Sequence, residues 1–310
     1  MRRKGLVAFL WFSFITRCFA LEITKRVEVT PHLQLVKFEE PIAFIQEDKA
    51  TESKAVRKLS PFAMNKFETT YGLWYDAIEQ SKELGYHIHN VGRPGSHGRN
   101  GVRPVGDNVY LPVANISWYD AIVWCNAYSE LQGRTPCYTY NNEVLKDSRE
   151  KEKIDNCICN FNVNGFRLPT EAEWEYASRI TENGLQWGNL VSGQTSEDVK
   201  EEDYCWSYKN ATTSHIVGTS GSDTDKKGSG YSNGAGLYDM SGNLMEFCFD
   251  RYGPYNTNLP YGMEEGDKRV YRGGSWSPHN MSVFTEQRMA YDPEIIYPYA
   301  GFRIACSLVD

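Results

Sequence analysis

Histidine is the side chain best suited to bind a metal or pass a proton near neutral pH. Three of the six histidines, His87, His89 and His97, crowd into the Gly- and Arg-rich stretch from His87 to Val105. A metal centre there would want carboxylates as well, and no acidic cluster accompanies them, so a solvated loop is expected. A two-His-one-carboxylate iron site fails for the same reason. Ser275 and Ser277 stand close to His279, the raw material of a nucleophilic serine, yet no Gly-x-Ser-x-Gly elbow is present to expose it. Cys157-Ile158-Cys159 lacks the spacing of a zinc half-site and has no matching Cys/His pair. It reads as a strand edge, with a disulfide to Cys137 left open. None of these groups assembles a catalyst on paper.

The elements that would position such groups are legible in places. Thr70 is a fitting N-cap for a helix over 70–85, with Leu73, Trp74, Ala77 and Ile78 on one face and Gly85 at its end. A second helix opens at Ser117, carries Asp120 in its first turn and Trp118, Ile122 and Cys125 on one side, and stops at Gly133. Thr170 and Glu173 form a capping box for a third, short helix after Pro169. Short β-like runs occupy Arg26 to Val29 and Leu33 to Phe38. Tyr138 to Tyr140 and Ile158 to Val163 pattern as a hairpin joined by a charged excursion. From Trp187 onward Gly, Asn, Ser and aromatic residues dominate without helical period, which predicts loops and short strands. The fold class is α+β.

Twenty Tyr, eight Trp and 26 Gly among 310 residues fit aromatic-filled loops better than a helical bundle. A net charge of −7 and the lack of a basic stripe leave no field for a phosphate backbone, so no nucleic acid is expected as partner. Arg2, Arg3 and Lys4 precede the short uncharged stretch Gly5 to Ile15, too short to span a bilayer and typical of a secretory signal peptide. Cleavage after Ala20 would leave Leu21 as the N-terminus. Alternatively Ile15-Thr16-Arg17-Cys18 serves as a loose lipobox with a lipid anchor on Cys18, although Arg17 fits poorly there. The expected organisation is a signal peptide at 1–20 and one domain at 21–310. The expected location is the cell surface, as an outer-membrane lipoprotein, or otherwise the periplasm or the medium. Export permits disulfides, and seven cysteines remain after Cys18, so at least one thiol stays free.

Several segments resemble one family when taken in order: Phe62-Ala-Met-Asn-Lys-Phe-Glu-Thr-Thr70, Pro112-Val-Ala-Asn-Ile-Ser-Trp-Tyr-Asp-Ala121 and Gly165-Phe-Arg-Leu-Pro-Thr-Glu-Ala-Glu-Trp-Glu-Tyr-Ala177. Asn233 to Glu246, Arg269 to Trp276 and Gly301 to Ala305 continue the series. Their content is similar to the formylglycine-generating-enzyme (sulfatase-modifying factor) family. The resemblance covers roughly residues 55 to 306 and implies an elaborated C-type lectin fold with short helices, small antiparallel sheets and much loop. Read from the residues alone, Gly165 to Thr170 is a strand entering a capped helix, and Arg167 is placed for a buried ion pair with a helix carboxylate such as Glu173. Gly273 and Gly274 permit backbone that a Cβ would forbid.

The family's oxidases use two cysteines after the Gly-Gly-Ser-aromatic segment, with copper. Here Pro278 and Val283 stand at the matching positions, neither can become the thiolate that Cu(I) needs, and no copper is expected. The resemblance also implies a structural calcium in Asp239-Met-Ser-Gly-Asn-Leu-Met-Glu246, with carboxylates from Asp239 and Glu246 and carbonyls from Gly242 and Leu244. An enzyme is not expected.

The stretch from Trp276 to Gly301 shows no steady period of two or 3.6. Its Tyr, Ser, Asn and His among scattered apolar residues match the composition of a paratope. A member of this family that lacks the cysteine pair and carries such a segment resembles the variable proteins of diversity-generating retroelements, whose template adenines are mutated. Asn codons of the AAY type reach Ser, His, Asn, Val, Phe, Thr, Tyr, Asp, Pro and Ile, and not Glu, Gln, Met or Trp. On that resemblance Ser277, His279, Asn280, Ser282, Val283, Phe284, Thr285, Tyr291, Ile295, Ile296, Tyr297 and Tyr299 form the variable ligand face, within a segment of about 275–303. Glu286, Arg288, Gln287, Met289, Glu294 and Arg303 are then scaffold. The expected partner is a protein or other macromolecule. The alternative is a pseudoenzyme or accessory protein of the sulfatase-modifying family.

Overall fold

Thr70 accepts a hydrogen bond from the Leu73 N–H through its hydroxyl and opens helix α1, Tyr71–Ser81. A 3-10 turn, Lys82–Leu84, follows before the left-handed Gly85 stops the chain. Ser117 and Asp120 close a capping box at the start of α2, Trp118–Leu131. The one-sided apolar face predicted for this helix is too narrow: every residue from Trp118 to Ser129 is buried. Burial all round follows from its place, with α1 on one side and the Phe166–Arg167 strand on another. α3 is the short Lys151–Asp155, inside the charged excursion. α4, Glu171–Ser178, opens on the Thr170–Glu173 capping box.

The computed structural model describes residues 33–259, 262–279 and 282–309. The expected signal peptide, Cys18, the 26–29 run and Asn280 lie outside the described residues. Gln34–Asp310 packs as one unit. No helix among the described residues is long and apolar enough to cross a membrane.

Two four-stranded sheets frame this unit. One runs Leu35–Phe38, Phe62–Asn65, Ala305–Ser307, Phe166–Arg167 and so brings the first and last strands of this unit into one sheet. The other runs Arg288–Tyr291, Arg269–Arg272, Met245–Arg251, Ala300–Gly301, with its last pair parallel. The edge strand Arg288–Tyr291 lies inside the stretch whose lack of period predicts irregular loop. Four residues on an edge, one buried and three half-buried, are too few to print an alternation. The expected hairpin of Tyr138–Tyr140 with Ile158–Cys159 is present, with Glu143–Val144 as a third strand.

Charge is buried here in matched sets. Arg167 grips Glu173 through two 2.7 Å bonds, the pair expected from the sequence. From α4, Glu171 accepts Arg288 Nε at 2.6 Å and Nη2 at 2.9 Å, and Glu175 accepts Arg272 Nη2 at 2.8 Å. Asp48 takes the remaining Arg288 Nη1 at 2.6 Å. Residues one turn apart on α4 therefore fasten two strands of the second sheet to the helix.

Asp250 is a carboxylate in this region without an arginine of its own. It accepts the Glu171 N–H at 2.7 Å, and burial, then the Glu171 charge, push its pKa up to about 7. A raised carboxyl pKa adds stability that is complete below the unfolded value near 4 and is lost as pH climbs through 7. Asp250→Asn keeps an acceptor for the Glu171 N–H and removes the titration. The variant is expected to exceed the parent in unfolding free energy by roughly 2 kcal/mol at pH 8, with the gap closing by pH 4.5. Urea unfolding across that range checks it, and parallel profiles for the two proteins would refute it.

Candidate ligand face

Gly273 and Gly274, at φ +85° and +65°, turn the chain out of the second sheet into the segment that leads to Tyr299. Most of what holds this segment is main chain. Trp276 N–H donates to Asn243 O at 3.1 Å and Thr285 N–H to Leu190 O at 3.0 Å. Trp118 N–H reaches Pro293 O at 3.1 Å, Asn115 N–H reaches Tyr297 O at 3.2 Å and Met245 N–H reaches Tyr299 O at 3.0 Å. Arg272 adds a guanidinium clamp on the carbonyls of Thr285, Glu286 and Gln287 at 2.9, 3.2 and 3.0 Å. Bonds to carbonyl and amide groups are indifferent to the side chain that each residue carries.

The side chains sort into groups. Tyr291, Tyr297 and Tyr299 form a ladder of rings with centroid distances of 5.2 and 4.9 Å, resting at one end on the buried Tyr271 at 5.1 Å. His279 continues the ladder at 6.5 Å from Tyr299. The three tyrosines are half-buried and His279 is exposed. Ile295 is half-buried and Ile296 is 37% exposed. Phe284 lies apart from the ladder, half-buried against Val191, Cys205, Val283 and Tyr204. Ser282 is half-buried.

Three residues assigned to the face do not belong on it as side chains. Ser277, Val283 and Thr285 are 2%, 1% and 0% exposed. Val283 fills an apolar pocket with Val191 and Cys205, Thr285 donates its hydroxyl to Leu190 O at 3.2 Å, and Ser277 accepts the His279 N–H at 3.3 Å. Small, β-branched or hydroxylated residues suit either a paratope or a packed turn, so composition does not separate the two. Of the residues read as scaffold, Arg288 and Arg303 are buried ion-pair partners, whereas Gln287 and Glu294 are exposed.

Sequence reasoning missed the supports. Asn115 sits at φ +64°, where asparagine is tolerated, and delivers the bond to Tyr297. His97, read as part of a solvated loop, places its ring 5.6 Å from Trp276 and shares a 2.9 Å hydrogen bond with Thr213. Neither residue carries a local signal, since each contact spans the fold.

The segment expected to hold calcium is instead committed to an arginine. Glu246 accepts Arg303 Nε at 2.7 Å and Nη2 at 2.6 Å, and Trp174 Nε1 at 2.8 Å. Asp239 accepts the Gly218 N–H at 2.6 Å, while its second oxygen is buried without a partner. Burial, with Glu246 adding, raises Asp239 to about 6. Burial, then Asp239 and Glu246, hold Glu68 well above its ordinary range. Of the expected ligands Asp239, Gly242, Leu244 and Glu246, Glu246 is thus paired to Arg303, and among the described residues no three His, Cys, Asp or Glu side chains gather as a metal site. At the positions matching the family's cysteine pair, Pro278 is exposed and Val283 is packed beside Cys205, whose thiol burial pushes far up.

The sequence profile of the sulfatase-modifying factor enzyme 1-like domain matches residues 36–308. The chain belongs to this family. Its expected α+β, C-type lectin-like architecture is the one observed. Among relatives, the chaperone protein LppX of Paenibacillus barcinonensis is 28% identical over 319 residues, covering 98% of this chain and 99% of that protein. The formylglycine-generating enzyme of Thermomonospora curvata is 31% identical over 156 residues, 46% of this chain and 49% of the enzyme. Treponema denticola variable protein 1 superposes with a TM-score of 0.67 and 26% identity, covering 88% of this chain and 95% of that structure. CarF shares the fold at a TM-score of 0.65 and 23% identity, covering 89% and 98%.

Proposed function

We propose that this family member is a non-catalytic binding protein that presents the tyrosine ladder and its neighbours to a macromolecular ligand. The observation that carries the reading is how the segment is held. Main-chain bonds and the Arg272 clamp fix Trp276 and the run from Thr285 to Tyr299, which leaves the Tyr297 and Tyr299 rings partly exposed toward a ligand. Stiff aromatic rings lose little entropy on binding and suit such anchors. Likeness to Treponema denticola variable protein 1 over most of both chains supports the finer reading, a variable protein of a diversity-generating retroelement. On that reading the side chains open to exchange are His279, Asn280, Ser282, Phe284, Tyr291, Ile295, Ile296, Tyr297 and Tyr299. Export through the 1–20 signal peptide and display at the cell surface, by a lipid on Cys18 or otherwise, belong to the same proposal.

Sequencing the flanking DNA tests it. A near-copy of the 3′ end that differs mainly at adenines, beside a reverse transcriptase gene, is the expected result. A locus with neither would rule out the retroelement. A second measurement bears on the face itself. Tyr297→Ala/Tyr299→Ala is expected to lower unfolding free energy by only about 1–2 kcal/mol, the loss of a partly exposed ring stack. A loss beyond about 4 kcal/mol would show the rings to be core.

The full-length similarity to a protein named chaperone LppX favours a second reading, an accessory protein of the sulfatase-modifying family. Mixing the protein with a sulfatase-motif peptide separates the two. Binding of the peptide, which the first reading does not anticipate, would favour this one.

A further inference from the structure

Cys137 and Cys159 belong to adjacent strands of the small sheet that carries the charged excursion. Tyr138 lies opposite Cys159 in the register, and the Asn160 N–H donates to Cys137 O at 2.9 Å. The two cysteines are therefore diagonal neighbours across one antiparallel step. Neighbours of that kind fall within the roughly 4.4–6.8 Å Cα separation that a disulfide spans. Cys137 precedes its strand, so its side chain is not bound to the alternation that would turn it away from Cys159. Both are free thiols in the structure, and each acts on the other: Cys159 lowers the Cys137 thiol and Cys137 raises that of Cys159.

We propose that Cys137 and Cys159 form a disulfide in the mature protein, closing the 138–158 excursion into a covalent loop at the edge of the core. Other thiols in the region are less well placed. Cys125 is fully buried on α2, and Cys306, on its own strand, is the neighbour of Arg134. The chemistry of the pair agrees with the geometry. The hydrogen bond from Cys159, helped by Arg167 and Arg134 against burial, draws the Cys137 thiol below its ordinary value. Burial, then that same bond, pushes Cys159 well above its own.

The oxidant is an external protein disulfide of the thiol–disulfide exchange class. One cysteine of the pair loses its proton and attacks the donor disulfide, giving a mixed disulfide and a donor sulfur that takes that proton. The other cysteine then loses its proton, attacks the bonded cysteine sulfur and expels the second donor sulfur, which takes the second proton. One S–S bond forms and one breaks, and the donor ends as a dithiol.

Reaching that state leaves a readable trace. The full chain, secreted from a host with an oxidising compartment, is alkylated under denaturing conditions without reductant and mapped by mass spectrometry. The expected result is one cross-linked peptide pair holding Cys137 and Cys159, lighter by two hydrogens than the free thiols, with Cys125, Cys157, Cys205, Cys248 and Cys306 alkylated. Reduction should release the pair and hasten limited proteolysis at Lys146, Lys151 and Lys153, relative to the untreated protein. Cys137→Ser/Cys159→Ser, which needs no cross-link to fold, should show the faster cleavage with or without reductant. Alkylation of both cysteines in the unreduced protein, or a bond joining Cys137 to Cys125, would overturn the proposal.

Discussion

Arg303→Met is expected to cost roughly 3–5 kcal/mol of unfolding free energy, a penalty typical of stranding one member of a buried ion pair. Arg303 is fully buried and joins three parts of the fold: Glu246 in the second sheet, Tyr238 O at 2.8 Å, and Asn65 O in the first sheet at 3.2 Å. Methionine fills most of the volume and supplies none of the donors. Glu246 then keeps only Trp174, in a region where Asp239 and Glu68 already have raised pKa values. The sign with pH follows. Arg303 lowers both Asp239 and Glu68, so its loss raises these carboxyls further, and the variant should regain stability relative to the parent as pH falls from 7 toward 5. Glu246→Gln added to Arg303→Met should recover part of the loss. Guanidinium unfolding of the three proteins measures all of this, and a single-variant loss below about 1 kcal/mol would show the pair to be dispensable.

Gly274→Ala is the second large effect, and it reaches the ligand face. At φ +65° an L side chain is strained by about 1–3 kcal/mol before any contact is considered. A Cβ there would also lie 2.2 Å from Ser282 O and 3.0 Å from Val283 Cα, both backbone. The clash can be relieved only by moving the returning strand of the loop, which withdraws Val283 from its pocket beside Cys205. Expected outcomes are a total loss above about 3 kcal/mol, summing backbone strain and lost packing, and a ladder that no longer presents one surface. Gly85→Ala is the control. It has a similar φ of +81° but nothing within 4 Å of the added carbon, so only the backbone strain of about 1–3 kcal/mol should appear. Equal melting temperatures for the two variants would mean that the crowding around Gly274 carries no cost.

These expectations also mark where sequence reasoning was sufficient. Thr70, Ser117 and the Thr170–Glu173 box act within one turn of chain, and all three cap the helices they predict. The Arg167–Glu173 pair spans six residues and was equally legible. Glu246 was not. The family resemblance implied a calcium ligand there, while its ion-pair partner, Arg303, arrives from 57 residues away. The same gap separates the side chains that are exposed in the 277–299 segment from those expected to be. Ser277, Val283 and Thr285 share their chemistry with the exposed residues around them, and only the approach of Val191, Cys205 and Leu190 decides that they are covered.

The chain's own order of residues therefore determined the family, the α+β class, the capped helices, the Gly-Gly exit from the sheet and the absence of cysteine from Ser275 to Phe284. All of these rest on signals a few residues long. Which carboxylates meet Arg272, Arg288 and Arg303, and which described side chains of the 277–299 segment face water, were settled only by the tertiary structure. The reason is physical: burial and charge pairing are properties of neighbours in space, and in this fold the deciding neighbours sit on strands drawn from both ends of this unit.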